Sequence, residues 1–292
     1  MTEQEPIIQL RDVVKSFDGR VVLDGINLDV PAGETVVIMG GSGCGKSTLL
    51  RLMIGSLVPD RGSIRLWDTE LVNLEPTALN ELRLRFGILF QSGALFNSMT
   101  VAQNVALPLR EHTQLDQNTI DIIVKIKLEL VGLREHAEKF PAQISGGMKK
   151  RAGLARALAL DPKLLFYDEP SAGLDPVTSA EIDRLIIDLG HKLNVTSVVV
   201  THEMDSAFAI ADRMVMLDKG VVLADETRSW FENLRDSAGE LPQRQALIRQ
   251  FLKGDALGPI TERKQTTNYA EDLLGERQQA PRTPDPSVVS TR

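Results

Sequence analysis

The sequence predicts an α/β fold with a largely parallel core sheet, a small antiparallel β region at the N-terminus and an inserted helical lobe. Three observations lead to this prediction. Short β-branched runs dominate about the first thirty residues. From residue 34 onward, apolar strands alternate with helices, and between residues 101 and 140 the strand signal gives way to helical spacing of apolar residues.

The N-terminal β region is predicted from runs at residues 7–14, 21–23 and 26–30. Asp18 and Gly19 are typical turn residues between the first two runs. Since the connections are short, we expect neighbouring strands to be antiparallel.

The core sheet is predicted from strands at residues 35–39 and 163–167. A helix is expected to follow each strand, from about Lys46 and from near Pro176. Strands connected through helices are parallel, so this alternation indicates a largely parallel sheet.

The helical lobe is predicted at about residues 92–160, with one clear helix at 120–131. We expect a principal domain at residues 1–225, a helical extension at 226–275 and a disordered tail at 276–292. No internal repeat is evident, which predicts one ligand-binding unit per chain.

Composition excludes several classes of protein. The chain has 292 residues, 42% of them hydrophobic, which suits a large core, and its net charge of -7 argues against nucleic acid as the main partner. The single cysteine excludes an intramolecular disulfide. The acidic N-terminus predicts no export signal, and no apolar run approaches the roughly 18 residues needed to cross a bilayer.

A glycine-rich segment after the first core strand fits the phosphate-loop pattern of Gly, four residues, then Gly-Lys-Ser. Lys46 is expected to reach the β and γ phosphates of ATP, and the Ser47 hydroxyl to coordinate Mg²⁺. A turn without a ligand is the alternative, and the strand before and helix after the loop favour the nucleotide. The candidate ATP-binding residues are Gly40, Gly41, Ser42, Gly43, Cys44, Gly45, Lys46, Ser47 and Thr48.

Two consecutive acids end the strand at residues 163–167. Successive strand residues point to opposite faces, so the two carboxylates can have different roles. We expect Asp168 to hold Mg²⁺, usually through water, and Glu169 to polarise the water that attacks the γ-phosphate. Alone, the pair could be an ordinary polar strand end before Pro170.

The segment at residues 144–151, Ile-Ser-Gly-Gly-Met-Lys-Lys-Arg, resembles the signature motif of ABC ATPases. A helix is expected at 148–159, and without the resemblance the Ser-Gly-Gly turn would be a helix cap. The resemblance implies that Ser145, Gly146 and Gly147 bind the γ-phosphate held by a second copy, so that two chains enclose two ATP molecules.

The same resemblance extends over about residues 7–225 and assigns further roles. It implies that Phe17 stacks on adenine, that Gln91 contacts Mg²⁺ and water and senses the permease, and that His202 contacts the γ-phosphate. Asp175 ends the D-loop. Taken singly, these residues could be an edge aromatic, a solvated glutamine and a capping histidine. The chain departs from the family at two positions, where Met148 replaces glutamine and Phe17 replaces tyrosine.

A basic run follows the Ser-Gly-Gly turn. Lys149, Lys150 and Arg151 predict a solvated helix start or a salt-bridged dimer face, in preference to a lipid-headgroup contact.

Residues 90–101, 104–112, 148–151 and 250–259 resemble the Mla and Mkl-like group, whose ATPases work with MCE proteins in phospholipid trafficking across the Gram-negative envelope. This implies a permease dimer, an MCE-domain substrate-binding protein, a small accessory protein and a location at the cytoplasmic face of the inner membrane. A small-solute ABC importer or exporter, a soluble ABC protein and a non-hydrolysing regulator are the alternatives.

Two surfaces follow from that resemblance. Residues 240–275 could clasp the second copy, or they could pack locally or be disordered; the candidate anchors are Phe251, Leu252, Leu273 and Leu274. The segment 91–109 is where a permease coupling helix is expected to dock. Its candidate lining residues are Leu95, Phe96, Met99 and Val101, some of which must belong to the core.

Overall fold

The computed structural model describes residues 6–261. In that range the strands are β1 (Pro6–Phe17), β2 (Arg20–Pro31), β3 (Thr35–Gly40), β4 (Arg61–Leu66), β5 (Thr69–Glu70), β6 (Phe86–Leu89), β7 (Leu164–Asp168), β8 (Thr196–Val200), β9 (Arg213–Asp218) and β10 (Val221–Thr227). The helices are α1 (Lys46–Met53), α2 (Pro76–Arg83), α3 (Val101–His112), α4 (Gln117–Leu130), α5 (Gly146–Ala157), α6 (Pro176–Leu193), α7 (Met204–Ile210), α8 (Arg228–Asp236) and α9 (Gln243–Lys253).

The first sheet is antiparallel, with strand order β2-β1-β4-β5. The runs at residues 21–23 and 26–30 belong to one strand, β2. Gly25 takes a left-handed conformation (φ 65) where the pairing with β1 shifts register, so the chain bulges without leaving the sheet.

The second sheet has the order β10-β9-β3-β8-β7-β6 and is parallel from β9 to β6, with β10 antiparallel at one edge. The predicted α/β fold with a largely parallel core sheet is therefore confirmed. Because parallel strands end at the same edge of a sheet, the segments that follow β3, β6, β7 and β8 meet there. They carry the phosphate loop, Gln91, Glu169 and His202.

The apolar core joins the two sheets. Every residue of β3 and β8 is buried, and α1 adds Leu49, Leu52 and Met53, each fully buried. Phe86 and Phe166 pack edge to face with ring centroids 5.4 Å apart. The strand ends at the site are thus anchored in a rigid interior.

Helices α3, α4 and α5 fill the segment where helices were predicted. Helix α5 begins at Gly146, two residues earlier than predicted, because the Ser145 hydroxyl accepts a hydrogen bond from the Met148 amide and caps it. The sequence-based prediction missed the helices α2 and α7 and the strands β4, β5, β9 and β10. β10 spans residue 225, so one strand lies on both sides of the boundary predicted there.

The described residues divide into two compact units, one ending at Ala238 and one beginning at Gly239. In the second unit, α9 ends at Lys253, and the next residue, Gly254, caps the helix in a left-handed conformation (φ 67). The Gln250 side chain, which is buried, donates to Asp255 O at 3.1 Å and accepts from the Ile260 amide at 2.7 Å. Leu273, Leu274 and the tail at 276–292 lie outside the described residues.

No helix in residues 6–261 combines the length and the apolar character that a membrane crossing needs.

Candidate active site

The phosphate loop connects β3 to α1 by passing very close to other backbone. A Cβ at Gly40 (φ 152) would lie 2.2 Å from the carbonyl oxygen of Leu217, and one at Gly45 (φ 110) would lie 2.6 Å from a methyl carbon of Leu23. Only glycine fits at both positions. The loop shape is therefore fixed by β9 and β2 as well as by its own sequence.

The opposite side of the loop is open. Within residues 6–261, nothing lies within 4 Å of a Cβ placed at Gly41 or Gly43, and no side chain caps the N-terminus of α1. Lys46 is only 8% exposed, and its Nζ donates to Gly40 O at 2.7 Å and Gly41 O at 3.1 Å. The loop thus offers backbone amides, a helix N-terminus and an ammonium group to an anion.

Cys44 lies within the loop as a buried residue, 6% exposed. Burial raises the pKa of its thiol, with the Lys46 charge opposing that shift. A Cβ added at Gly40 would also come within 2.8 Å of the Cys44 sulfur. The side chain packs beneath the loop, as expected of a spacer.

Asp168 ends β7 at the same edge. Burial is the main cause that raises the pKa of its carboxyl above the usual value, and Glu169 adds to it, while Arg51 and Lys46 act in the opposite direction. The Lys46 ammonium and the Asp168 carboxylate therefore act on each other within one site.

Glu169 and His202 are brought into direct contact. The His202 Nδ1 lies 2.8 Å from Glu169 Oε1, and the His202 amide donates to Oε2 at 3.4 Å. The Glu169 side chain is 13% exposed and that of His202 is 58% exposed. A carboxylate held by a histidine is suited to directing a water molecule.

The Glu169 backbone is tied to α5 by Lys150, which is only 5% exposed. Its Nζ donates to Glu169 O at 3.0 Å and to Ala172 O at 2.8 Å. The prediction of a solvated basic run is therefore wrong for Lys150. Arg151 lies 3.9 Å from the Glu181 carboxylate and Lys149 is partly exposed, so the run divides into three separate environments.

Gln91 is exposed and follows β6 after Phe90. Side chains of two helices, α5 and α3, hydrogen-bond to the segment that follows Gln91. The sequence did not predict these contacts. Arg156 of α5 donates to Ala94 O at 2.8 Å and Gly93 O at 3.2 Å. Asn104 of α3, which is fully buried, donates to Phe96 O, Met99 O and Thr100 O and accepts from the Phe96 amide.

The predicted permease-facing residues divide between surface and core. Phe96 is 52% exposed, Leu95 and Met99 are partly buried, and Val101 is fully buried in α3. Val101 therefore belongs to the core.

The Ser-Gly-Gly turn packs against the start of α6. A Cβ at Gly147 would lie 2.4 Å from the Thr178 methyl group. Asp175 caps α6 by accepting from the amides of Val177 and Thr178 at 3.1 and 3.0 Å. The hydrogen bond from the Thr178 hydroxyl is the main cause that lowers the pKa of Asp175, and the bonds from the amides add to it. In this structure Ser145 and Asp175 both act as helix caps.

Phe17 ends β1 and is 41% exposed. The Lys15 ammonium lies 5.5 Å from the centroid of its ring. An exposed aromatic ring can stack on a planar ligand, which is the role that the resemblance predicts for Phe17.

A loop that presents amides and one lysine to phosphates, beside a carboxylate held by a histidine, is the arrangement of a phosphate-loop nucleoside triphosphatase. Comparisons with known proteins define the class further. Residues 23–172 match the family model described as ABC transporter.

The chain is 42% identical over 269 residues to "Intermembrane phospholipid transport system ATP-binding protein MlaF" of Escherichia coli strain K12, covering 92% of this chain and 96% of that protein. It is 42% identical over 267 residues to "Probable ribonucleotide transport ATP-binding protein mkl" of Mycobacterium leprae, covering 91% and 74%.

Two solved structures share the fold. The ATP-binding cassette MJ0796, a dimer bound to ADP and Pi in a post-hydrolysis state, superposes with a TM-score of 0.70 and 30% identity over 76% of this chain and 98% of that one. CbiO1 of Clostridium perfringens, part of the ABC transporter complex cbiONQ, gives a TM-score of 0.74 and 29% identity over 84% and 99%. The chain belongs to the ATP-binding proteins of the ABC transporter family and is an ATPase coupled to transport.

Proposed function

We propose that this chain powers phospholipid movement between the two membranes of a Gram-negative envelope. The observation that carries the proposal is the match to MlaF along almost the full length of both chains, 92% of this one and 96% of the relative. The ribonucleotide transporter named for the mycobacterial relative is the second candidate, and there the match leaves about a quarter of the relative uncovered, since it spans 74% of that protein.

In the proposed reaction, Lys46 and the loop amides neutralise the ATP phosphates while Glu169 polarises the attacking water. His202 keeps the carboxylate in place through the 2.8 Å contact with its Nδ1. Phe17 stacks on the adenine, and residues Ser145, Gly146 and Gly147 with Asp175 face the nucleotide bound by a second copy.

The residues present suit a magnesium ion. Ser47 is exposed at the first turn of α1, Asp168 lies at the end of β7 beside the Lys46 charge, and Gln91 is exposed after β6. These are hard oxygen donors with a single carboxylate, and Mg²⁺ in nucleotide sites is usually held by one or two carboxylates together with the phosphates. When bound, the ion neutralises charge on the phosphates.

The proposed partners are a second copy, a membrane permease dimer, an MCE-domain substrate-binding protein and a small accessory protein, with this chain at the cytoplasmic face of the inner membrane. The N-terminus of α5 supports the two-copy site because Ser145 and Gly146 are exposed there. We propose that residues 240–275 clasp the second copy, with the partly exposed Phe251 as the anchor among the described residues, since Leu252 is buried within this chain.

A groove of about 520 Å³ supports permease docking next to Gln91. It is lined by Phe90, which is 40% exposed, together with Arg83, Pro108, His112 and Arg156. Phe90 offers an apolar contact and the two arginines offer positive charge. Such a groove is complementary to an amphipathic helix that carries acidic residues at its ends. Arg156 also holds Gly93 and Ala94, so a helix seated here contacts a group that fixes the Gln91 segment.

The role of Glu169 is tested by Glu169→Gln in the assembled complex. The amide keeps the size of the side chain but cannot act as a base, so ATP turnover is expected to fall by about 100-fold or more while ATP binding is retained. Glu226→Gln, at an exposed carboxylate of β10, is the matched control. Turnover near the wild-type rate in Glu169→Gln would exclude Glu169 as the base.

The transported substrate is tested by reconstitution. The chain is purified with the membrane proteins that bind it, the complex is placed in liposomes, and movement of a fluorescent phospholipid and of a radiolabelled ribonucleotide is followed with ATP present. Phospholipid movement that stops in Glu169→Gln supports the proposal. ATP-dependent uptake of the ribonucleotide alone would replace it with the second candidate.

A further inference from the structure

Lys150 of α5 is a buried cation whose hydrogen-bond partners are carbonyl oxygens. It is 5% exposed, and burial lowers the pKa of its ammonium group while Glu203 and Glu169 act to raise it. Burying an ammonium is costly unless its donors are satisfied. The donors here reach Glu169 O at 3.0 Å and Ala172 O at 2.8 Å.

The backbone that Lys150 holds has an unusual conformation. Glu169 has a φ of 51, a left-handed conformation that costs energy in a residue with a Cβ. Its amide donates to Val200 O at 2.9 Å, and its carbonyl also accepts from the Ala172 amide at 3.3 Å. Together with the bond from Lys150 to Glu169 O, these bonds anchor the peptide groups on both sides of Glu169.

That conformation sets the direction of the Glu169 side chain. The carboxylate leaves the strand end toward His202, and a different φ at this residue would carry it elsewhere. The turn at 169–172 is therefore the support of the group proposed to act as base. Its anchor on α5 is Lys150.

Lys150 also connects this turn to the other end of the site. Lys150 lies in the same helix as Gly146 and Gly147, and Ser145 caps the N-terminus of that helix. A movement of α5 therefore moves the two donors that hold the turn at 169–172. An apolar residue of similar length would fill the space without supplying either donor.

We propose that Lys150 is a positioning residue, which holds the turn at 169–172 so that the Glu169 carboxylate points at the attacking water, and which links that turn to the Ser-Gly-Gly end of α5. The proposal rests on the catalytic role proposed for Glu169.

The test compares Lys150→Met, Lys150→Arg and Lys149→Met in the full-length chain assembled with its membrane partners. Lys149 is the matched control because it is the adjacent lysine of the same helix and is partly exposed. For Lys150→Met we expect kcat to fall by about 10- to 100-fold, the range that displacement of a reacting group produces, with KM and the Kd for ATP unchanged. Lys150→Arg restores donors and is expected to recover most of kcat, while Lys149→Met stays at the wild-type rate.

Two results would overturn the proposal. One is a wild-type kcat in Lys150→Met. The other is a loss of kcat that comes with equal losses of ATP binding and thermal stability and that Lys150→Arg does not recover, since this is the pattern of a purely structural lysine.

Two further variants cover a failure of Lys150→Met to fold and separate this proposal from the role of Glu169. If Lys150→Met does not fold, the same comparison is made with Lys150→Gln, whose polar side chain is one bond shorter than lysine and so loses its reach to the carbonyl oxygens of Glu169 and Ala172. Its kcat is expected to fall as in Lys150→Met, and a wild-type kcat would overturn the proposal. Glu169→Gln is measured beside these variants. If it retains turnover, the role of Glu169 fails; if it abolishes turnover while Lys150→Met does not, only the positioning role fails.

Discussion

The phosphate loop and the segment 91–100 both leave the end of a parallel strand, but they are held in different ways. The loop is held by glycines that allow close backbone contact and by Lys46, which bonds to carbonyls five and six residues away. The segment 91–100 is held by side chains of α3 and α5, and Arg156 reaches carbonyls 62 and 63 residues away. Glycines required at fixed spacing leave a pattern in the sequence, whereas side chains that reach distant carbonyl oxygens do not.

The largest effect is expected where the loop passes β9. Gly40→Ala would place a methyl group 2.2 Å from the Leu217 carbonyl oxygen, and the backbone there cannot move aside without disturbing the sheet. We expect a loss of about 3 kcal/mol in the free energy of unfolding. Chemical denaturation without nucleotide measures it.

The control for this variant is Gly41→Ala, because no atom of the described part of the chain lies within 4 Å of a Cβ there. If both substitutions had the same small effect on unfolding, close contact with β9 would not be what shapes the loop.

An intermediate effect is expected at Asn104. Asn104→Ala removes one acceptor and the donors for three carbonyls, and it leaves the Phe96 amide without its 2.8 Å partner in a partly buried place. We expect a loss of about 2 kcal/mol, with faster hydrogen exchange confined to residues 96–100. Asn97→Ala, at an exposed position of the same segment, is expected to change neither quantity.

Equal exchange rates in Asn104→Ala and the wild type would show that the segment is stabilised by its apolar contacts rather than by this side chain.

The smallest effect is expected at Arg156, whose guanidinium is partly in water. Arg156→Met removes the bonds to Gly93 O and Ala94 O, and we expect a loss of about 1 kcal/mol. The more sensitive measurement is the affinity of the ATPase for its permease, since Arg156 also lines the proposed docking groove.

Arg110→Met is the control, because Arg110 is exposed on α3 and makes one long bond of 3.4 Å to Gln117. Permease affinity that drops equally in both variants would point to a general effect of positive charge.

The same contrast explains how much the sequence could predict. The parallel sheet, the phosphate loop and the acid pair were predicted because strand and helix spacing and a contiguous motif define them. The contact between Glu169 and His202 depends on β7 and β8 lying side by side, and it was not predicted, since the resemblance assigned His202 to the γ-phosphate and did not pair it with Glu169. The places of Lys150, Arg156 and Asn104 depend on how α3 and α5 pack, which no local pattern encodes.

Helix α5 contacts both the turn at 169–172 and the segment 91–100, and these two contacts fix the number of residues between them. The helix has 12 residues and begins at the Ser145 cap. Lys150 attaches it to the turn at 169–172, and Arg156 attaches it to the segment 91–100. One residue inserted between Lys150 and Arg156 would turn Arg156 by about 100° away from its carbonyls while leaving the helix intact. The structural constraint therefore extends beyond Ser-Gly-Gly to the whole of α5. In related chains we expect the length of α5 to vary less than the identity of its residues.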